Sequence, residues 1–72
     1  MRARNMEELI QKKFDMLNEN DLQIWAYIVR HKEQCKQISI QQLAAFCHVS
    51  HTTILRFAKK LGFSGYSEMR SS

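Results

Sequence analysis

The chain has 72 residues, 44% of them hydrophobic and 25% charged, with a formal net charge of +4 and a sequence pI of about 9.4. A chain this short makes one domain, buries about 60% of the surface its unfolded form exposes, and lacks the scaffold for a large active-site cleft, so no enzyme is expected. Two cysteines, Cys35 and Cys47, with no apolar run behind the charged start Met1-Arg2-Ala3-Arg4, exclude a secreted disulfide scaffold, and no stretch approaches the roughly 20 apolar residues of a membrane span.

The expected compartment is therefore the cytoplasm. Proline is absent, glycine occurs only at 62 and 65, and no useful length alternates apolar with polar residues. Strands are accordingly not expected. Asn5 is placed to cap a first helix, with Glu8 at its third position and Leu9, Ile10, Phe14 and Leu17 on one face. Asn18 caps a second, with Asp21 three residues on. Leu22, Trp25, Ile28 and Val29 form its apolar stripe, widened by Ile24. Residues 31–37 are polar and read as a connection. Ser39 and Gln42 match a capping box, and the third helix turns Ile40, Leu43, Ala44 and Cys47 inward before ending near His48 and Val49. Ser50 caps a fourth helix that runs to Leu61, with Ile54, Phe57, Ala58 and Leu61 as its buried face. Gly62 stands where a helix commonly ends in the left-handed conformation, and Ser64 starts a fifth helix that the chain end cuts short. The expected fold is all-α, a small bundle of four to five helices.

Positive charge gathers late. Residues 1–49 hold seven Lys/Arg against six Asp/Glu, a net +1; residues 50–72 hold Arg56, Lys59, Lys60 and Arg70 against Glu68, a net +3. Such a surface suits phosphates. The stretch 39–62 places two short helices about three residues apart, which makes them cross steeply and lets the second project. A projecting helix about 10–12 Å wide fits the major groove of B-DNA. Small Ala44 permits close approach, Val49 plugs the turn, and Ile54 points back toward Ala44. His48 stands where glycine is commonest, a position wanting positive φ, which His tolerates better than branched residues do. The outward residues are then His51, Thr52, Thr53, Arg56, Lys59 and Lys60, with Ser50 as cap and phosphate contact. Short polar residues at the helix start suit base edges, Arg56 a guanine edge or the backbone, and Lys59 and Lys60 phosphates.

These residues resemble the RpiR family of bacterial transcriptional regulators. The resemblance rests on Ser39-Ile40-Gln41-Gln42-Leu43-Ala44 and on Val49-Ser50-His51-Thr52-Thr53-Ile54-Leu55-Arg56-Phe57-Ala58-Lys59-Lys60-Leu61-Gly62-Phe63-Ser64-Gly65-Tyr66. Leu17 to Asp21 and Ile24 to Ile28 extend it over nearly the whole chain. It implies a homeodomain-like helix-turn-helix that binds the major groove of double-stranded operator DNA and controls genes of sugar or phosphosugar metabolism. It also implies that residues 1–72 are the DNA-binding domain of a homo-oligomeric regulator. The C-terminal sugar isomerase domain of such regulators, which takes a sugar-phosphate effector, is absent from these residues.

Other chemistries fit less well. Cys35, Cys47, His48 and His51 lack the paired cysteines of a zinc finger, and Cys47 is needed in the core, so no metal is expected. His31, His48 and His51 have no nucleophile with an orienting acid, and no cofactor is expected. The stretch from Gly62 to Gly65 matches the glycine loop of KH-type RNA binders, but those need strands. Trp25 and Phe57 could stack on bases, yet their helical spacing assigns them to the core. The alternative of another class is a helical protein-interaction or dimerisation module, in which the first helix packs on a partner chain.

Overall fold

The computed structural model describes residues 6–71, and among these every regular element is helical. Helix α1 spans Met6–Lys12 and runs into a single 3-10 turn, Phe14–Met16. Then follow α2 (Glu19–Arg30), α3 (Lys32–Cys35), α4 (Ile40–Cys47), α5 (His51–Lys60) and α6 (Tyr66–Ser71). The all-α expectation is met, with the 3-10 turn and the one-turn α3 added to the helices read from the sequence. The expected Asn5 cap lies outside the described residues.

Two helix starts form as their sequences require. The Asp21 N–H donates to Asn18 Oδ1 at 2.9 Å, and the Asn18 N–H donates back to Asp21 Oδ2 at 3.1 Å. At α4 the Gln42 N–H donates to Ser39 Oγ at 3.1 Å, and the Ser39 N–H to Gln42 Oε1 at 3.0 Å. Each box satisfies two backbone donors that a helix N-terminus leaves without intrahelical partners.

The core is centred on α5. Ile54, Phe57, Ala58 and Leu61 are fully buried, packed with Ile24 and Ile28 of α2 and Leu43 and Ala44 of α4. Ile38 and Cys35 close it from the connection and Phe63 and Met69 from the far side. At about 25 cal/mol per Å² of buried apolar surface, this one cluster supplies the main favourable contribution to folding.

Three expectations are corrected. Phe14 does not join the buried face of α1, because the helix gives way at Lys13 to a 3-10 turn, which leaves Phe14 55% exposed. Val29 is exposed, because Ile24 and Ile28 point inward and Val29 lies about a third of a turn round the helix from them. The connection 31–37 is not wholly a loop: its middle forms α3, and Cys35 is buried.

Helix α6 folds back on the segment before α4. The Tyr66 hydroxyl and the Arg70 guanidinium both donate to the Ile38 carbonyl, at 3.0 and 3.2 Å, and the guanidinium lies 5.7 Å from the Tyr66 ring centroid. One of the four late positive charges is thus occupied inside the domain.

Candidate nucleic-acid interface

Helices α4 and α5 are joined by His48, Val49 and Ser50. His48 takes the left-handed conformation, φ 60° and ψ 40°. Its N–H donates to the Ala45 carbonyl at 3.2 Å, and the Val49 N–H donates to the Ala44 carbonyl at 3.0 Å. This pair of bonds is a Schellman motif, which ends a helix and turns the chain sharply. Helix α5 ends the same way. Gly62, at φ 98°, donates to Lys59 at 3.0 Å, and Phe63 donates to Ala58 at 3.1 Å, which drives the Phe63 ring into the core. One stop carries the expected glycine and the other a histidine.

Ser50 is extended at φ −78° and ψ 159°, and its Oγ accepts from the Thr53 N–H at 3.3 Å. The two hydroxyls of Ser50 and Thr53 also lie 3.1 Å apart. These bonds fix the first turn of α5. Ala44 and Ile54 are both buried where the helices approach, as the helix-turn-helix spacing requires.

The inner face of α5 determines what its outer face presents. At 100° per residue, Thr52, Arg56 and Lys59 lie within about 40° of the direction opposite Ile54. All three are exposed. They form one ridge about 10 Å long, with His51 exposed at its start and no acidic residue anywhere in the helix. Thr53 is half-buried on one flank, held by the Ser50 hydroxyl. Such a ridge can offer hydroxyl and guanidinium donors and positive charge to one extended polyanion.

Lys60 is placed otherwise than expected. Its side chain is 28% exposed, and its Nζ lies 2.5 Å from Asp21 Oδ2, an oxygen already engaged in the α2 cap. The expectation that Lys60 stands outward with Lys59 is corrected: the two neighbours diverge by 100°, and Lys60 falls on the flank that meets α2. Periodicity within α5 could not reveal this, since the partner lies 39 residues away.

Among the described residues no three His, Cys, Asp or Glu side chains gather as a metal-binding group. Burial pushes the Cys35 thiol up, and Cys47 likewise, with the neighbouring Cys35 adding to it. No helix of the described residues is long and apolar enough to cross a membrane.

Residues 4–72 match the family model described as a helix-turn-helix domain of the rpiR family. Over 65 residues the chain is 52% identical to the HTH-type transcriptional regulator GlvR of Bacillus subtilis, covering 90% of this chain and 26% of that protein. Over 67 residues it is 34% identical to the HTH-type transcriptional regulator HexR of Pseudomonas aeruginosa, covering 93% of this chain and 24% of the other. An uncharacterised HTH-type transcriptional regulator, YfhH of Escherichia coli, is 28% identical over 61 residues, 85% of this chain and 22% of that one. The chain thus spans about a quarter of the length of these relatives.

Proposed function

Because this chain belongs to the rpiR family of helix-turn-helix domains, we propose that α5 enters the major groove of double-stranded DNA and reads an operator for a bacterial transcriptional regulator. The observation that carries this reading is the ridge of Thr52, Arg56 and Lys59, set opposite a fully buried inner face on a helix without acidic residues. Thr52 and Thr53 lie in the first turn, where a helix end can enter the groove. Ser50, His51 and the helix N-terminus face the adjoining phosphates. Arg56, one turn further, has the reach for a guanine edge. Lys59 serves a phosphate.

The remainder of the reading follows from family resemblance. The regulator is a cytoplasmic homo-oligomer without enzymatic activity of its own. It controls sugar or phosphosugar genes, and a separate sugar isomerase domain binds a sugar-phosphate effector. A single unit neutralising about four to six phosphates has mostly non-specific affinity, near 10⁻⁴–10⁻⁶ M at physiological salt. Tight operator binding needs two recognition helices about 34–36 Å apart, while a single unit keeps the sequence preference of its own base contacts, about 1–3 kcal/mol each.

The test is a salt titration of binding to duplex DNA. The 72-residue chain loses affinity steeply as salt rises, and Lys59→Ala flattens that slope by about one unit. Thr53→Ala and Arg56→Ala instead relax discrimination at one or two base pairs, worth about 1–3 kcal/mol each. Exposed Phe14, Met16 and Phe46 favour a second reading, a protein-interaction module. Salt-independent association with a protein, and no salt-dependent DNA binding, would decide for that reading.

A further inference from the structure

Asp21 is the one buried charged residue among the described residues, at 2% exposure. Its Oδ2 serves two elements at once: it accepts the Asn18 N–H that starts α2, and it holds the ammonium of Lys60, the last residue of α5. A carboxylate taken out of water is tolerated only when paired and hydrogen-bonded, and both conditions are met here, the hydrogen bond by Asn18 three residues away and the pairing by Lys60 39 residues away. Leu61 and the Gly62 stop follow directly, so the C-terminal end of α5 is fixed in rotation as well as in position. Lys60 and Thr53, seven residues apart, lie on the same flank of α5. A change in how that flank sits against α2 therefore turns the ridge of Thr52, Arg56 and Lys59 about the helix axis.

From this we infer that Lys60 is not a phosphate contact but a positioning residue: its bond to Asp21 sets the rotation of α5, and so which base edges the ridge meets. The inference rests on the reading of α5 as the DNA-reading helix. It separates two adjacent lysines by role. Lys59 contributes charge to the bound state, and Lys60 contributes the orientation in which that state is specific. It also assigns a part in DNA recognition to an acidic residue that does not reach the DNA. Removing Asp21 raises the net charge, so electrostatics alone would tighten binding to DNA. Loss of orientation does the opposite at a specific sequence.

The experiment uses the 72-residue chain and the variants Lys60→Met, Lys60→Arg, Asp21→Asn, Lys59→Ala and the double variant Asp21→Asn/Lys60→Met. Asparagine at 21 retains an acceptor for the Asn18 N–H. Two probes are used, a duplex enriched from a random pool by the wild-type chain and a scrambled duplex of equal composition. Binding is measured well below each variant's melting temperature, with circular dichroism confirming the fold. Lys60→Met and Asp21→Asn each lower the preference for the enriched duplex by about tenfold, while their salt slopes stay at the wild-type value. Lys60→Arg, which keeps the pair, restores the preference. The double variant loses no more preference than either single one, since one interaction is removed in all three.

A slope flattened by about one unit in Lys60→Met, as expected for Lys59→Ala, would make Lys60 a phosphate contact and overturn the inference. So would an unchanged preference in both single variants, which would leave the pair a stabilising contact only. Failure of the wild-type chain to bind DNA in a salt-dependent way would overturn the function proposed above. The melting temperatures would still report the coupling of Lys60 with Asp21.

Discussion

Helix α5 and the segment that leads into α2 treat their apolar residues in opposite ways. Every large apolar residue on the inner face of α5 is fully buried, from Ile54 to Leu61. Between α1 and α2, Phe14 is more than half exposed although it continues the apolar period of Leu9 and Ile10, and Met16 in the same turn is exposed as well. The difference lies in the ends of the helices. Helix α5 is held by a serine cap at one end and a Schellman stop at the other, so its 3.6-residue period is maintained throughout. Helix α1 passes at Lys13 into a 3-10 turn of about three residues per turn, and the face set by Leu9 and Ile10 is lost before Phe14. Periodicity predicts burial only over the length for which the helix is held.

The largest effect that could break this contrast is at its centre. Phe57→Ala should cost about 3–5 kcal/mol, most of what a domain of this size has, whereas Phe14→Ala should stay within about 0.5 kcal/mol. Urea unfolding of both variants checks this, and equal losses would mean that the two regions are equally packed.

The helix stops come next. Gly62→Ala places a Cβ at φ 98° and should cost about 1–2 kcal/mol. At the equivalent place in α4 the reverse change, His48→Gly, should stabilise by about 1 kcal/mol by relieving the same conformation. Thermal melts of both variants should move in opposite directions.

Ser39→Ala removes one half of a local capping box and should cost about 1 kcal/mol. The smallest effect concerns Cys35, which lies between the two regions in α3. Burial raises its thiol above the ordinary range. The stability it contributes is therefore fully present below about pH 8.5 and is lost as pH rises through the raised folded value. Urea midpoints should fall as pH rises above about 8.5, and less steeply in Cys35→Ala.

Much of the helix-turn-helix was legible because its determinants are local. Asn18 with Asp21, Ser39 with Gln42, and Ser50 with Thr53 each act across three residues, and each bond is formed. Ile54, Phe57, Ala58 and Leu61 follow from one helical period, and Gly62 from one turn. What stayed hidden joins distant segments. Ile38 is buried because α6 returns to bond its carbonyl. Four positive charges after residue 50 predict a surface that suits phosphates. Two of them, Lys60 and Arg70, are held within the domain, and Arg56 and Lys59 form the exposed pair. Composition counts charge but cannot locate its partners.

The bond between Lys60 and Asp21 also has a place in time. It closes a span of 39 residues, and closing a long loop costs entropy that local caps and turns do not incur. The α4–turn–α5 unit can assemble from contacts between near neighbours, so this pair should form after the main barrier to folding has been crossed. Contacts made that late govern escape from the native state rather than entry into it. Asp21→Asn should then leave the refolding rate nearly unchanged and increase the unfolding rate, as stopped-flow mixing would record. The pair would set how long a folded domain lasts, while the turn at His48 sets how quickly one is made.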